Sequence, residues 1–102
     1  MSKFTTRVEL FDTDDGTSQE YTILHDAMSA AGFIRTIKGD NGIEYHLPPA
    51  EYNYEGNKTS SEVLGLAKAA ANQTKKKNSV LVTESNGRTW DNLTKVNKAV
   101  AR

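Results

Sequence analysis

Apolar residues along the chain fall into two kinds of rhythm. Tyr21, Leu24, Met28 and Ala31 recur at helical spacing and place one apolar face on a helix over about residues 18–31. Thr17 followed by Glu20 has capping-box spacing at its start, and Gly32 suits the left-handed position just past its end. Val63, Leu66, Ala67 and Ala70 repeat the pattern over about 60–73, opened by the capping box of Thr59 and Glu62. Between and around these helices the rhythm shortens to that of strands. Residues 4–11 and 33–38 carry β-branched and aromatic residues, and 79–83 is a short apolar run. Asn41-Gly42 marks a hairpin turn after Lys38, with Ile43, Tyr45 and Leu47 alternating on the return arm. Pro48-Pro49 interrupts that arm, because proline cannot donate to a ladder. The third strand is then 43–47, 50–55 with Tyr52 and Tyr54 on one side, or a bulged union of both. Asp91 opens a short last helix through Leu93, Val96 and Val100.

The order is β-α-β-β-α-β with a short C-terminal extension, in a single domain over 1–102. It predicts an α+β, ferredoxin-like fold: a four-stranded antiparallel sheet with two helices on one face. The other sheet face and the edges are then left to solvent, to the tail or to a partner, and a homodimer is expected. Tyr45, Tyr52, Tyr54 and Trp90 are the candidates for covering that face.

Composition narrows the chemistry. The chain has no cysteine, which excludes disulfides, a thiol nucleophile and cysteine zinc sites. No apolar run has the length of a membrane span, and Met1–Thr6 lacks the apolar stretch of a secretion signal, so a cytoplasmic protein with no membrane partner is expected. Net charge is zero, but it is unevenly spread. Residues 1–33 carry two basic against six acidic side chains; residues 75–102 carry seven basic against two acidic. An acidic front and a basic back suit self-association, or a basic end that meets phosphates; folding that brings the ends together instead cancels the two.

Several residues carry candidate chemistry. Asp12, Asp14 and Asp15 cluster after the first strand, and carboxylate oxygens suit a hard cation such as magnesium; a solvated turn has the same composition. No other cofactor is implied. His25 flanks the apolar stripe of the first helix, where it is a general acid–base group, a phosphate contact, or simply a surface histidine. Tyr45, Tyr52 and Tyr54 with Arg35 and Lys38 are the combination that single-stranded RNA binders use to stack bases and hold phosphates, and equally one that packs a sheet or a dimer interface.

These residues also carry a family resemblance. Phe11-Asp12 closing strand one, Leu24 and Met28 in helix one, Phe33 opening strand two, Gly42-Ile43 and Leu47 in the hairpin, and Ser61-Glu62-Val63 opening helix two are collinear with the GhoS-type antitoxins of type V toxin–antitoxin systems. From Leu24 to Val63 the chain resembles that family without a gap; its C-terminal quarter is dissimilar. The resemblance implies a ferredoxin-like fold, related to the small CRISPR-adaptation nucleases, and an endoribonuclease that cleaves the messenger RNA of a membrane toxin. A functional arginine of the family's first helix lines up with His25, and a functional aromatic of its third strand with Tyr52. On that basis His25, Tyr52 and Asp12 are the catalytic candidates, and Arg35, Lys38 and Tyr54 the RNA-binding ones. The alternative from the residues alone is a non-catalytic homodimeric module that binds RNA or protein.

Overall fold

The computed structural model describes residues 2–11 and 19–96. It is a mixed α+β domain with the order β1 (Ser2–Leu10), α1 (Gln19–Ala30), β2 (Thr36–Lys38), β3 (Glu44–His46), β4 (Glu51–Gly56), α2 (Ser60–Asn72) and β5 (Asn78–Ser85).

Strand β1 is the centre. It pairs antiparallel with β4 on one side and β5 on the other. From Phe4 onward its alternate residues Phe4, Thr6, Val8 and Leu10 are all buried, as strand alternation requires of a sheet covered on one face. Cross-strand register adds Tyr52, Tyr54, Val80 and Val82 to the same face. Both helices pack there: α1 through Leu24, Ala27 and Met28, α2 through Val63, Ala67, Ala70 and Ala71. The alanines bring α2 close to the sheet at little side-chain entropy cost.

The helix ends follow the sequence. Thr59 Oγ1 accepts the Glu62 backbone N–H at 3.1 Å, and Glu62 Oε1 accepts that of Thr59 at 2.8 Å, closing the predicted capping box. The backbone hydrogen bond to Glu62 is the first cause that holds its carboxyl below the usual range. Gly32 terminates α1 at φ +102°, and the N–H groups of Gly32 and Phe33 bond back to Ser29 and Met28. A Cβ at Gly32 would also press to 3.3 Å from the Tyr54 ring. The capping expected at Thr17 lies outside the described residues.

Two expectations are corrected. The four strands do not form one sheet: the main sheet has three strands, β4-β1-β5, and β2 and β3 form a separate two-stranded sheet. The predicted second strand meets β4 only at Ile34, which exchanges two backbone hydrogen bonds with Asn53 and then departs. The prolines explain the split. Neither Pro48 nor Pro49 can donate to a ladder, and Ala50 beside them turns the chain at φ +66°. The stretch 43–55 therefore resolves into two strands in two sheets rather than one bulged strand. The second correction concerns the C-terminus. Residues 91–96 are not helical; the His46 N–H donates to Thr94 O and the Val96 N–H to Glu44 O, so this segment runs along the free edge of β3. An edge with unpaired backbone groups outweighs the helical spacing of Leu93 and Val96. The position of Val100 lies outside the described residues.

The segment after β5 also reaches the sheet face opposite the helices. Arg88 Nη1 donates to Asn53 Oδ1 at 2.7 Å and to Thr5 Oγ1 at 3.3 Å, and Asn53 is buried beneath it. The tail thus covers part of the face left open by the helices.

Thr6 is out of keeping with its surroundings. Its hydroxyl is fully buried and has no hydrogen-bond partner among the described residues. Thr6→Val keeps the β-branched shape and removes the unsatisfied group. The expected outcome is a higher urea midpoint at unchanged slope, a gain on the order of 1 kcal/mol.

Candidate functional site

Helix α1 and strand β4 bring His25 and Tyr52 together. His25 lies one position after Leu24, so the burial of Leu24 carries the imidazole to the helix–sheet seam, half-covered. Tyr52 sits opposite Thr6 on the helix-facing side of β4 and is 1% exposed. Their contact is a hydrogen bond of 2.6 Å between His25 Nδ1 and the Tyr52 hydroxyl. Around it the rings interlock: Phe33 meets Tyr52 edge-on with centroids 6.4 Å apart, and Tyr21 lies 6.4 Å from His25. The Tyr21 hydroxyl accepts the Leu10 backbone N–H, tying the cluster to the end of β1.

Burial governs the protonation of both groups. It lowers the His25 pKa, with the Arg35 guanidinium adding to the effect and Asp26 opposing it. It pushes Tyr52 up to about 12, against a smaller opposing pull from Arg35. At neutral pH the pair is therefore an uncharged imidazole beside a protonated phenol. The hydroxyl donates to Nδ1 in one tautomer and accepts from it in the other. With the proton on Nε2, His25 is a donor to a phosphate oxygen; with Nε2 bare, it is a base. Arg35 is exposed, and its charge is felt by both partners, so the seam joins an acid–base pair to a cation.

The other candidates are placed differently. Tyr54 is half-buried in the core, its ring 5.1 Å from Phe33 and 6.2 Å from Phe4 by centroid. The stacking expected of Tyr52 and Tyr54 is not available in this arrangement, because both rings face the helices and are already packed. What Tyr52 contributes is its hydroxyl. Asp12, with Asp14 and Asp15, lies outside the described residues. Among the described residues no cluster of three or more histidine and acidic side chains is placed to hold a metal ion.

Lys38 belongs to a second place. It ends β2 and lines a cleft of about 650 Å³ between the β2–β3 hairpin and residues 86–90. Lys3, Arg88, Tyr45 and Trp90 line it too. Tyr45 and Trp90 meet edge to face with their planes inclined by 61° and centroids 5.5 Å apart. Lys3 and Arg88 were not foreseen. The local signal was the turn Asn86-Gly87 followed by a cation and the single tryptophan of the chain, but nothing in the spacing tied that turn to the hairpin.

The lowered His25 pKa has a stability consequence with a definite sign. The unfolded chain takes up a proton near pH 6.5, the folded chain only at lower pH. The contribution of neutral His25 is thus complete above about pH 6.5 and is lost as pH falls through the folded value. A histidine NMR titration is expected to place His25 below 6.5, and the stability of the parent relative to His25→Gln is expected to decline on acidification across that window.

No helix among the described residues is long and apolar enough to cross a membrane. Compared with known proteins, the chain matches no family model and no curated sequence.

Proposed function

We propose that the chain is an endoribonuclease acting on single-stranded RNA, of the antitoxin kind that its sequence resembles. The observation that carries the reading is the His25–Tyr52 hydrogen bond at the α1–β4 seam. The two positions that line up with functional family residues are 27 apart in sequence and share a proton in space. Ferredoxin-like architecture agrees with two helices on one sheet face and with Ile34 bridging β4 at the place of the fourth strand.

In this reading RNA lies across the seam with a phosphate against Arg35. His25 with a bare Nε2 takes the proton of the attacking 2′-hydroxyl. The 2′-oxygen then bonds to phosphorus, the bond from phosphorus to the 5′-oxygen breaks, and that oxygen takes a proton from water, while the imidazolium returns its own to solvent. Arg35 offsets the charge that builds on the phosphate. Tyr52 holds the imidazole through Nδ1, a positioning role its raised pKa suits because it stays a neutral phenol. By the same resemblance the target is the messenger of a small membrane toxin, met in the cytoplasm. A homodimer fits the outer edge of β5, which pairs with no further strand among the described residues, and Leu81 on that strand, 65% exposed.

A second reading has its own support. Tyr52 is buried and its ring cannot stack on a base, which favours a non-catalytic module that binds RNA or protein by other surfaces.

Purified protein incubated with mixed cellular RNA, with magnesium and with chelator, decides between them. Discrete products are expected, reduced roughly 10²–10⁴-fold by His25→Ala. Tyr52→Phe, which keeps the ring, is expected to cost less and to shift the pH profile. Cleavage that survives both substitutions would remove the site assignment, and saturable binding without products would favour the second reading.

A further inference from the structure

The cleft beside Trp90 has the makings of a binding site separate from the His25–Tyr52 seam. Its walls come from both ends of the chain: Lys3 from β1, Ile37 and Lys38 from β2, Tyr45 from β3, and Arg88 and Trp90 from the segment after β5. Its volume, about 650 Å³, is that of a small-ligand pocket rather than of packing voids.

Charge and ring geometry define what fits. Three cations line the cleft against one carboxylate, Asp40. The Arg88 guanidinium is engaged by Asn53, Thr5 and, at 3.9 Å, Glu55. Lys3 and Lys38 are in no ion pair among the described residues, so their charges remain for a ligand. Because Tyr45 meets Trp90 edge to face, the aromatic pair is not closed by self-stacking. Gly39 lies beside both rings; a Cβ there would be in ordinary contact with Trp90, at 3.4 Å, and Tyr45, at 3.6 Å, and tight only against Asn41 Oδ1, at 3.0 Å.

We propose that this cleft holds a nucleotide of single-stranded RNA, with the base on the Trp90–Tyr45 pair and flanking phosphates on Lys3 and Lys38. The assignment rests on the RNA reading above and extends it by naming where RNA is gripped. Bases in a duplex already stack on one another and offer no free face, whereas an unpaired base does. Aromatic stacking beside flexible cations is the recurring design of single-strand sites. The cleft thereby supplies the stacking platform that Tyr52 and Tyr54, turned into the core, do not.

Trp90 is the only tryptophan in the chain, so its fluorescence reports on this cleft alone. The full chain is titrated with a short single-stranded 2′-O-methyl oligoribonucleotide, which lacks the 2′-hydroxyl needed for cleavage, while dye anisotropy follows binding in parallel. The expected result is saturable quenching that tracks anisotropy, an affinity weakened at least roughly tenfold in Lys3→Glu/Lys38→Glu, and a shallower salt dependence in that variant. Trp90→Phe is expected to retain binding by anisotropy and Trp90→Ala to lose it. On cleavable RNA the lysine variant is expected to raise KM and leave kcat near the parent value. Binding by anisotropy with no change in Trp90 emission, indifferent to the lysine reversals, would overturn the cleft while leaving the RNA reading intact. Absence of both binding and cleavage for every RNA would overturn the RNA reading and the cleft with it. Equal quenching by poly-glutamate would overturn the nucleotide assignment in favour of an acidic peptide.

Discussion

The domain depends on one constraint: β1 is bonded on both edges, so each of its residues has an assigned face. Phe4, Thr6, Val8 and Leu10 are sealed beneath the helices, and Thr5 on the other side meets the Arg88 guanidinium. A slip of one residue would exchange the two sets and bury Arg7 and Glu9 in place of Phe4 and Val8. Because β4 is registered against β1 residue by residue, the same constraint sets Tyr52 over the core and under α1. The His25 hydrogen bond is therefore a consequence of sheet register, not of any feature local to the helix.

Function separates across the two faces. On the helix side, burial tunes a histidine and a tyrosine in opposite directions and keeps both neutral, which suits proton exchange better than ion pairing. On the other side, the hairpin and the C-terminal segment build a partly open, cationic and aromatic cleft. The first place has chemistry but little room for a base; the second has room and charge but no acid–base pair. In the RNA reading proposed above, the first would serve the scissile bond and the second the grip on the strand.

Much of this was legible along the chain. Both helices were, because Leu24–Met28 and Val63–Ala70 carry the full period and Thr59–Glu62 writes its own cap. The hairpin was, because Asn41-Gly42 announces it. The break between the sheets was visible only as Pro48-Pro49, whose direction of exit depends on the left-handed turn at Ala50. The helical spacing of Leu93 and Val96 misled, since strand pairing to β3 draws on backbone groups that no side-chain pattern records. The resemblance singled out His25 and Tyr52 one by one, but their hydrogen bond was not legible, since it depends on α1 crossing β4. Tyr45 and Trp90 were both candidates for covering the open face, but their pairing was not legible, since it depends on β3 and the segment after β5 meeting in space.

The arrangement of the cleft has a consequence for how the molecule is made. Every residue of the main core lies between Phe4 and Val82, and the His25–Tyr52 pair is complete well before that point. Trp90, Arg88 and the residues that bond along β3 come afterwards. The centre and the His25–Tyr52 seam are thus encoded by Val82, while the cleft needs Arg88 and Trp90, which meet Lys3 from the other end of the fold. The cleft is therefore formed only by chains translated through Trp90.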